Sequence, residues 1–218
     1  MKVKVCGIRR LLDVIMVDNA GADFLGFINI QRSQRFVGLN LINLLLSQME
    51  DPRKAVLVVE PDNPEEVVKK SKTTGITKLQ LHSLNPDDIH HIKKAHDLTL
   101  IRTVGISEKI STEKKNEIKV FSEVCDGIML DYELNGQSGG TGMQIPLKTA
   151  IKGAKIAKKT NNSEVFLAGG MNSAIMKTDM HKINQKFQGV DVNSGVEESP
   201  GIKDRTKLEE FIEICKVI

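Results

Sequence analysis

The 218-residue sequence predicts an α/β protein folded as a (β/α)8 TIM barrel, a single domain over residues 1–218. Short apolar runs alternate with helical patterns eight times, roughly 27 residues per unit, close to the minimum for this architecture. The strands are aliphatic on one side only: Val3 and Val5, Leu79 and Leu81, Ile128 and Leu130, Val190 and Val192. Their other side carries Lys4 and Cys6; Lys78, Gln80 and His82; Asp131; Asp191 and Asn193. A sheet covered by helices on both faces needs strands that are apolar on both. One-sided strands suit helices outside and a polar-mouthed lumen inside. A pair of glycine turns closes the case, one after Val165–Ala168 and one after Val190–Asn193. Glycine lets bare backbone N–H groups approach a ligand, and neighbouring turns after strands 7 and 8 form a phosphate cup in barrels of this kind.

Taken in order, Val3 and Val5 define a first strand ending at Gly7, and Leu12, Ile15, Met16 and Asn19 follow at helical spacing up to Gly21. Phe24–Ile28 is the second strand and Leu39–Met49 its helix. Ala55–Val59 is the third; Pro64 opens the helix Glu65–Thr73 and Gly75 ends it. Lys78–Leu81 is the fourth, and Pro86 starts the helix carrying His90, His91 and His96, read as surface histidines. Leu98–Val104 is the fifth strand, followed by the helix Ser111–Val124. Gly127–Leu130 is the sixth, with a long glycine-rich loop from Tyr132 to Gly142 and a lysine-rich helix from Pro146 to Thr160. Asn172 is placed to cap the helix after strand 7. Asp204 caps the last helix, whose buried stripe is Leu208, Phe211, Ile212 and Cys215.

Composition narrows the function classes. The net charge is +3, with no basic block, which argues against nucleic acid or an anionic membrane surface as a partner. No apolar run approaches the ~20 residues of a membrane span, and Met1-Lys2-Val3-Lys4 leads directly into a strand. Cys6, Cys125 and Cys215 are odd in number and far apart, which fits neither a disulfide framework nor a metal site. A cytoplasmic location is expected, as a monomer or homodimer acting on a phosphorylated small molecule.

Cys6 and Asp131 end strands 1 and 6 on the lumen side, where barrel enzymes place their chemistry. Those strands lie three steps apart around the ring, so the side chains face each other across the mouth. An acid and a base on opposite sides of one substrate are what an isomerase needs to move a proton between neighbouring atoms. Alone, each favours the plainer reading, Cys6 as a small buried hydrophobe and Asp131 as a turn or capping residue. Together with a phosphate cup they favour catalysis. A thiol base needs a lowered pKa; Lys4, two residues back on the same side, either supplies that help or pairs with a carboxylate such as Asp191.

Lys4-Val-Cys-Gly-Ile8, Gly21-Ala-Asp-Phe-Leu-Gly-Phe27, Ser33-Gln-Arg35, Gln80-Leu-His82, Leu130-Asp131, Gly139-Gly-Thr-Gly142, Leu167-Ala-Gly-Gly170, Val190-Asp-Val-Asn-Ser-Gly-Val-Glu197 and Gly201-Ile-Lys-Asp204 occur in that order. In this the chain resembles phosphoribosylanthranilate isomerase of tryptophan biosynthesis, from its first strand to its last helix. The resemblance implies an Amadori rearrangement of N-(5-phosphoribosyl)anthranilate by general acid/base catalysis, with no metal or organic cofactor. It implies Asp131 as the acid that protonates the ribose ring oxygen and Cys6 as the base that removes the C2′ proton. It implies Arg35 on the anthranilate carboxylate, and Gly169, Gly170, Ser194 and Gly195 on the phosphate. Gln80, His82, Gly140 and Asp191 complete the expected substrate contacts, with the loop to Gly142 as a lid.

The chain departs from the family pattern at Arg9, Asn29-Ile30, Ser83 and Met143-Gln144-Ile145-Pro146, and it has no tryptophan. Those positions fall on the anthranilate side. A histidine-pathway sugar isomerase would end strand 1 in a second aspartate. A flavin barrel shares the phosphate cup, and an aldolase would need a lumen lysine, for which Lys78 is the candidate. A catalytically lapsed or repurposed phosphate-binding barrel is the remaining alternative.

Overall fold

A computed structural model describes residues 1–134, 136–138, 142–161 and 163–216. Among the described residues, eight parallel strands alternate with eight α-helices. The strands are β1 Lys2–Cys6, β2 Phe24–Ile28, β3 Ala55–Val59, β4 Lys78–Leu81, β5 Thr99–Ile106, β6 Gly127–Leu134, β7 Glu164–Leu167 and β8 Gly189–Val192. The helices are α1 Leu11–Asn19, α2 Leu39–Leu46, α3 Pro64–Thr74, α4 Pro86–Ala95, α5 Thr112–Val124, α6 Leu147–Asn161, α7 Ser173–Asn184 and α8 Arg205–Lys216. Periodicity left an open sheet possible. The pairing of β5 with β6, from Ile101↔Gly127 to Ile106↔Tyr132, removes it by closing the ring on itself.

Local chemistry sets the helix starts. Asn63, Asn85, Ser111, Asn172 and Asp204 each accept a hydrogen bond from a backbone N–H three residues on, at 2.9–3.2 Å. Pro64 and Pro86 occupy first-turn positions, where their missing N–H costs nothing. Gly75 ends α3 in the left-handed region at φ 72°, which a side chain would resist.

The aliphatic side of the strands packs outward against the helices as one continuous core that includes Val3, Val5, Leu57, Leu79, Ile128, Val165 and Val190. The α8 stripe of Leu208, Phe211, Ile212 and Cys215 is buried as expected. The lumen is less polar than strand parity suggested. Ile101, Met129, Phe166 and Ala168 form an apolar plug, with Phe24 edge-on to Phe166 at 6.1 Å, and Cys6, Ile28, Ile30 and Val58 form a second apolar group. A ring that narrow must be filled by side chains, so only its mouth stays polar.

Two segments read as loops are ordered otherwise. β6 runs on through Leu134 and turns back as a short antiparallel hairpin with Gln137–Ser138. Beyond β8, a 3₁₀ turn over Ser194–Val196 leads into a hairpin pairing Glu197–Ser199 with Ile202–Lys203. Each pairing joins residues only a few positions apart and satisfies backbone groups at the rim without leaving a hydrophobic signature.

Candidate active site

A cavity of about 310 Å³ opens at the C-terminal ends of the strands. Cys6, Arg35, Gln80, His82, Asp131, Gly169, Gly170, Asp191 and Ser194 all line it, so nine of the expected site residues share one space. Gly195 packs beneath the turn, not at the cavity wall. A Cβ there would collide with the Met171 carbonyl oxygen. Gly140 lies outside the described residues.

The Cys6 end is organised by charge. Lys4, 1 % exposed, donates to Asp191 Oδ1 at 2.9 Å across the β1–β8 seam, where the two residues are in register. The same ammonium acts electrostatically on Cys6, so pairing with Asp191 does not take its charge away from the thiol. Burial works against the Lys4 ammonium, but Asp191 and Cys6 outweigh it and hold its pKa above the ordinary range. For Cys6 the balance runs the other way. Burial raises the thiol, Lys4 pulls it down without winning, and Asp191 adds to the rise. The thiol is therefore protonated at neutral pH, with its thiolate supported by an adjacent ammonium.

Asp131 faces the same cavity from β6. Its Oδ1 accepts the Tyr132 N–H at 2.7 Å, yet burial dominates and pushes its pKa up to about 7. A carboxyl group half-protonated near neutrality is suited to donate a proton. Gly169, at φ +84°, lies against it: a Cβ at that position would stand 2.9 Å from Asp131 Oδ1. Gly170, at φ +61°, is pressed in the same way by the Gly142 carbonyl, bringing the end of the long loop onto this glycine turn.

Arg35 is already engaged. Its Nε and Nη2 grip Glu197 at 2.9 and 2.6 Å. Glu197 also takes the Lys203 ammonium at 3.1 Å, and Lys203 donates to the Asn193 carbonyl and Oδ1 at 3.2 and 3.1 Å. Opposite them, Gln80 Nε2 donates to Thr103 Oγ1 at 3.0 Å and approaches His82 Nε2 at 3.3 Å. Burial holds His82 down to about pKa 4, so it is neutral, and Gln80 Oε1 and His82 Nδ1 are buried without a partner among the described residues. Such groups are costly unless something completes them.

Glu197, Lys203 and Thr103 were missed as site residues. Glu197 and Lys203 lie in the segments Val190–Glu197 and Gly201–Asp204, but nothing local indicates that a hairpin returns them to Arg35. Thr103 sits mid-strand in an apolar run. Lys78, the aldolase candidate, lies at the far end of the barrel, where it donates to the Arg53 carbonyl at 2.8 Å. Among the described residues, no three His, Cys, Asp or Glu side chains are grouped to hold a metal ion, and no helix is long and apolar enough to cross a membrane.

Residues 3–214 match the family model for N-(5'phosphoribosyl)anthranilate (PRA) isomerase. Relatives named N-(5'-phosphoribosyl)anthranilate isomerase include that of Methanothermobacter thermautotrophicus, 35 % identical over 97 % of this chain and 87 % of the relative. That of Acetivibrio thermocellus is 30 % identical over 96 % and 93 %. In three dimensions the chain is similar to the phosphoribosyl anthranilate isomerase of Thermotoga maritima, with a TM-score of 0.82, 24 % identity and complete coverage of both chains. It also superposes, at a TM-score of 0.77, 23 % identity and complete coverage of both chains, on such an isomerase in complex with reduced 1-(o-carboxyphenylamino)-1-deoxyribulose 5-phosphate.

Proposed function

The chain belongs to the N-(5'-phosphoribosyl)anthranilate isomerase family, and on that premise we propose how its own side chains divide the work. It is an isomerase of tryptophan biosynthesis. It converts N-(5-phosphoribosyl)anthranilate to 1-(2-carboxyphenylamino)-1-deoxyribulose 5-phosphate by an Amadori rearrangement.

Asp131 is the general acid. It gives its proton to the ribose ring oxygen as the C1′–O bond breaks and the anilino nitrogen's lone pair forms the C1′=N bond of a Schiff base. Cys6 is the general base. As thiolate it takes the C2′ proton, and the C2′–H electron pair moves to form the enolamine, which tautomerises to the ketone. The chemistry asks for one acid and one base and no other group.

The observation that carries this reading is Asp131 itself: a buried carboxyl raised to about pKa 7, lining one cavity with a thiol that has an ammonium beside it. The N–H groups around Gly169, Gly170 and Ser194 hold the phosphate, and Gly195 shapes that turn from below. Arg35 meets the anthranilate carboxylate. Gln80 Oε1 and His82 Nδ1, both buried and unpartnered among the described residues, complete their hydrogen bonds on the substrate or on water it carries. Three free, buried cysteines suit a reducing cytoplasm.

Rescue of a tryptophan-requiring, isomerase-deficient host tests the whole assignment. The parent is expected to restore growth, and Cys6→Ser and Asp131→Asn to fail at equal protein level. Growth with either variant removes that residue's role; failure of the parent would indicate a barrel that has lost turnover.

A further inference from the structure

Arg35 poses an electrostatic problem. Glu197 binds it through two parallel contacts, and both side chains are nearly buried, at 12 % and 4 % exposed. Taken alone, that pair is neutral and has no charge left for an incoming anion. Lys203 changes the balance. Its side chain is wholly buried, and its ammonium lies 3.1 Å from the same carboxylate. Burial lowers the Lys203 pKa, while Glu197 works to keep the lysine charged. Burial likewise opposes the Glu197 charge, yet Arg35 and Lys203 hold that carboxylate below its ordinary range. Two cations and one anion leave the cluster with a net positive charge beside the cavity.

Geometry says where that charge is presented. Glu197 occupies the Nε/Nη2 side of the Arg35 fork, leaving the terminal edge with Nη1 for another acceptor. Lys203 spends its other donors on Asn193, at the head of the turn after β8, tying the arginine cluster to the phosphate end. Gly7, at φ +78°, makes room for both: a Cβ there would lie 2.6 Å from Asn193 Oδ1 and 2.9 Å from Arg35 Cδ.

We propose that Lys203 is a specificity-determining residue that acts through Glu197: it neutralises that carboxylate so that the terminal edge of Arg35 keeps its charge for the substrate's aromatic carboxylate. The inference rests on the reading of Arg35 given above. It separates Lys203 from a mere structural lysine, because its effect is confined to ligands that carry the carboxylate.

The test is a ratio of binding constants, measured by titration calorimetry near neutral pH so that turnover is not needed. The probes are reduced 1-(2-carboxyphenylamino)-1-deoxyribulose 5-phosphate and its phenylamino counterpart lacking the carboxylate. The parent is expected to prefer the carboxylate form by about tenfold or more, as charge-assisted hydrogen bonds do. Lys203→Met should bring the ratio close to one, while affinity for the phenylamino ligand changes little. Glu197→Gln should keep or increase the preference, and Glu197→Gln with Lys203→Met should return it to the parent's range. If Lys203→Met does not fold, the order of the other three still decides. A ratio that collapses in the double variant overturns the proposal, as does a parent-like ratio in Lys203→Met. Arg35→Met tests the underlying reading separately: if it retains the preference, the role of Arg35 fails first.

Discussion

The sulfur of Cys6 fills the space that a side chain on Gly26 would occupy. A Cβ at that glycine would stand 2.8 Å from Cys6 Sγ, and 3.0 Å from Lys4 Nζ. The two residues are in register on adjacent strands β1 and β2, so neither can move aside without moving the sheet. The missing methyl group of Gly26 is thus what lets thiol and ammonium turn together into the lumen.

Gly26→Ala should therefore damage activity more than stability. Overpacking of one methyl group costs about 1–3 kcal/mol, whereas a displacement on the order of 1 Å at a reacting group costs about 100-fold in rate. The expectation is a folded protein with a modestly lower Tm and kcat/KM down about 100-fold. Near-parent turnover would show that the contact does not set the thiol's position.

The pH dependence of kcat/KM follows from the two raised groups. Asp131 acts protonated and Cys6 acts ionised, and the carboxyl is the more acidic of the two. Activity should climb tenfold per pH unit up to about pH 7, where Asp131 begins to ionise. Above that the gain in thiolate and the loss of acid cancel, giving a plateau until the thiol itself titrates. An acid-side break near pH 4–5, the range of ordinary carboxylates of about 3.9–4.3, would rule out the raised Asp131.

The same carboxyl carries a stability cost. Asp131 holds its proton to about pH 7 when folded and to about pH 3.9 when unfolded. As pH rises between those values the unfolded chain releases the proton first, so this group's contribution to stability falls across that window, by at most on the order of 4 kcal/mol. Asp131→Asn, which keeps an acceptor for the Tyr132 N–H, lacks that slope. Its gain over the parent in urea unfolding should be larger at pH 8 than at pH 5, alongside loss of turnover. A gain independent of pH would contradict the assignment.

Lys4 holds the thiolate against burial, so its removal has a definite sign. In Lys4→Met the ammonium that pulls the thiol down is lost, so the Cys6 pKa rises further. Alkylation of Cys6, which lines the cavity, by iodoacetamide at pH 8 and followed by peptide mapping at that residue, is expected to slow several-fold. An unchanged rate would mean that the ammonium serves Asp191 alone.

What the chain determines by itself is whatever repeats locally. Side chains on a strand alternate with period two, and helices announce themselves through caps, prolines and a 3.6-residue stripe. That alone places Cys6, Asp131, Gln80 and Asp191 on the lumen side and the glycine turns after the last two strands. The tertiary structure decided whatever depends on burial or on residues brought together from afar. Closure required the β5–β6 pairing. The link from Lys4 to Asp191 spans 187 positions and that from Arg35 to Glu197 spans 162. The raised Asp131 and the uncharged His82 exist because water is excluded around them, and a sequence records the titratable group but not the dielectric it will meet.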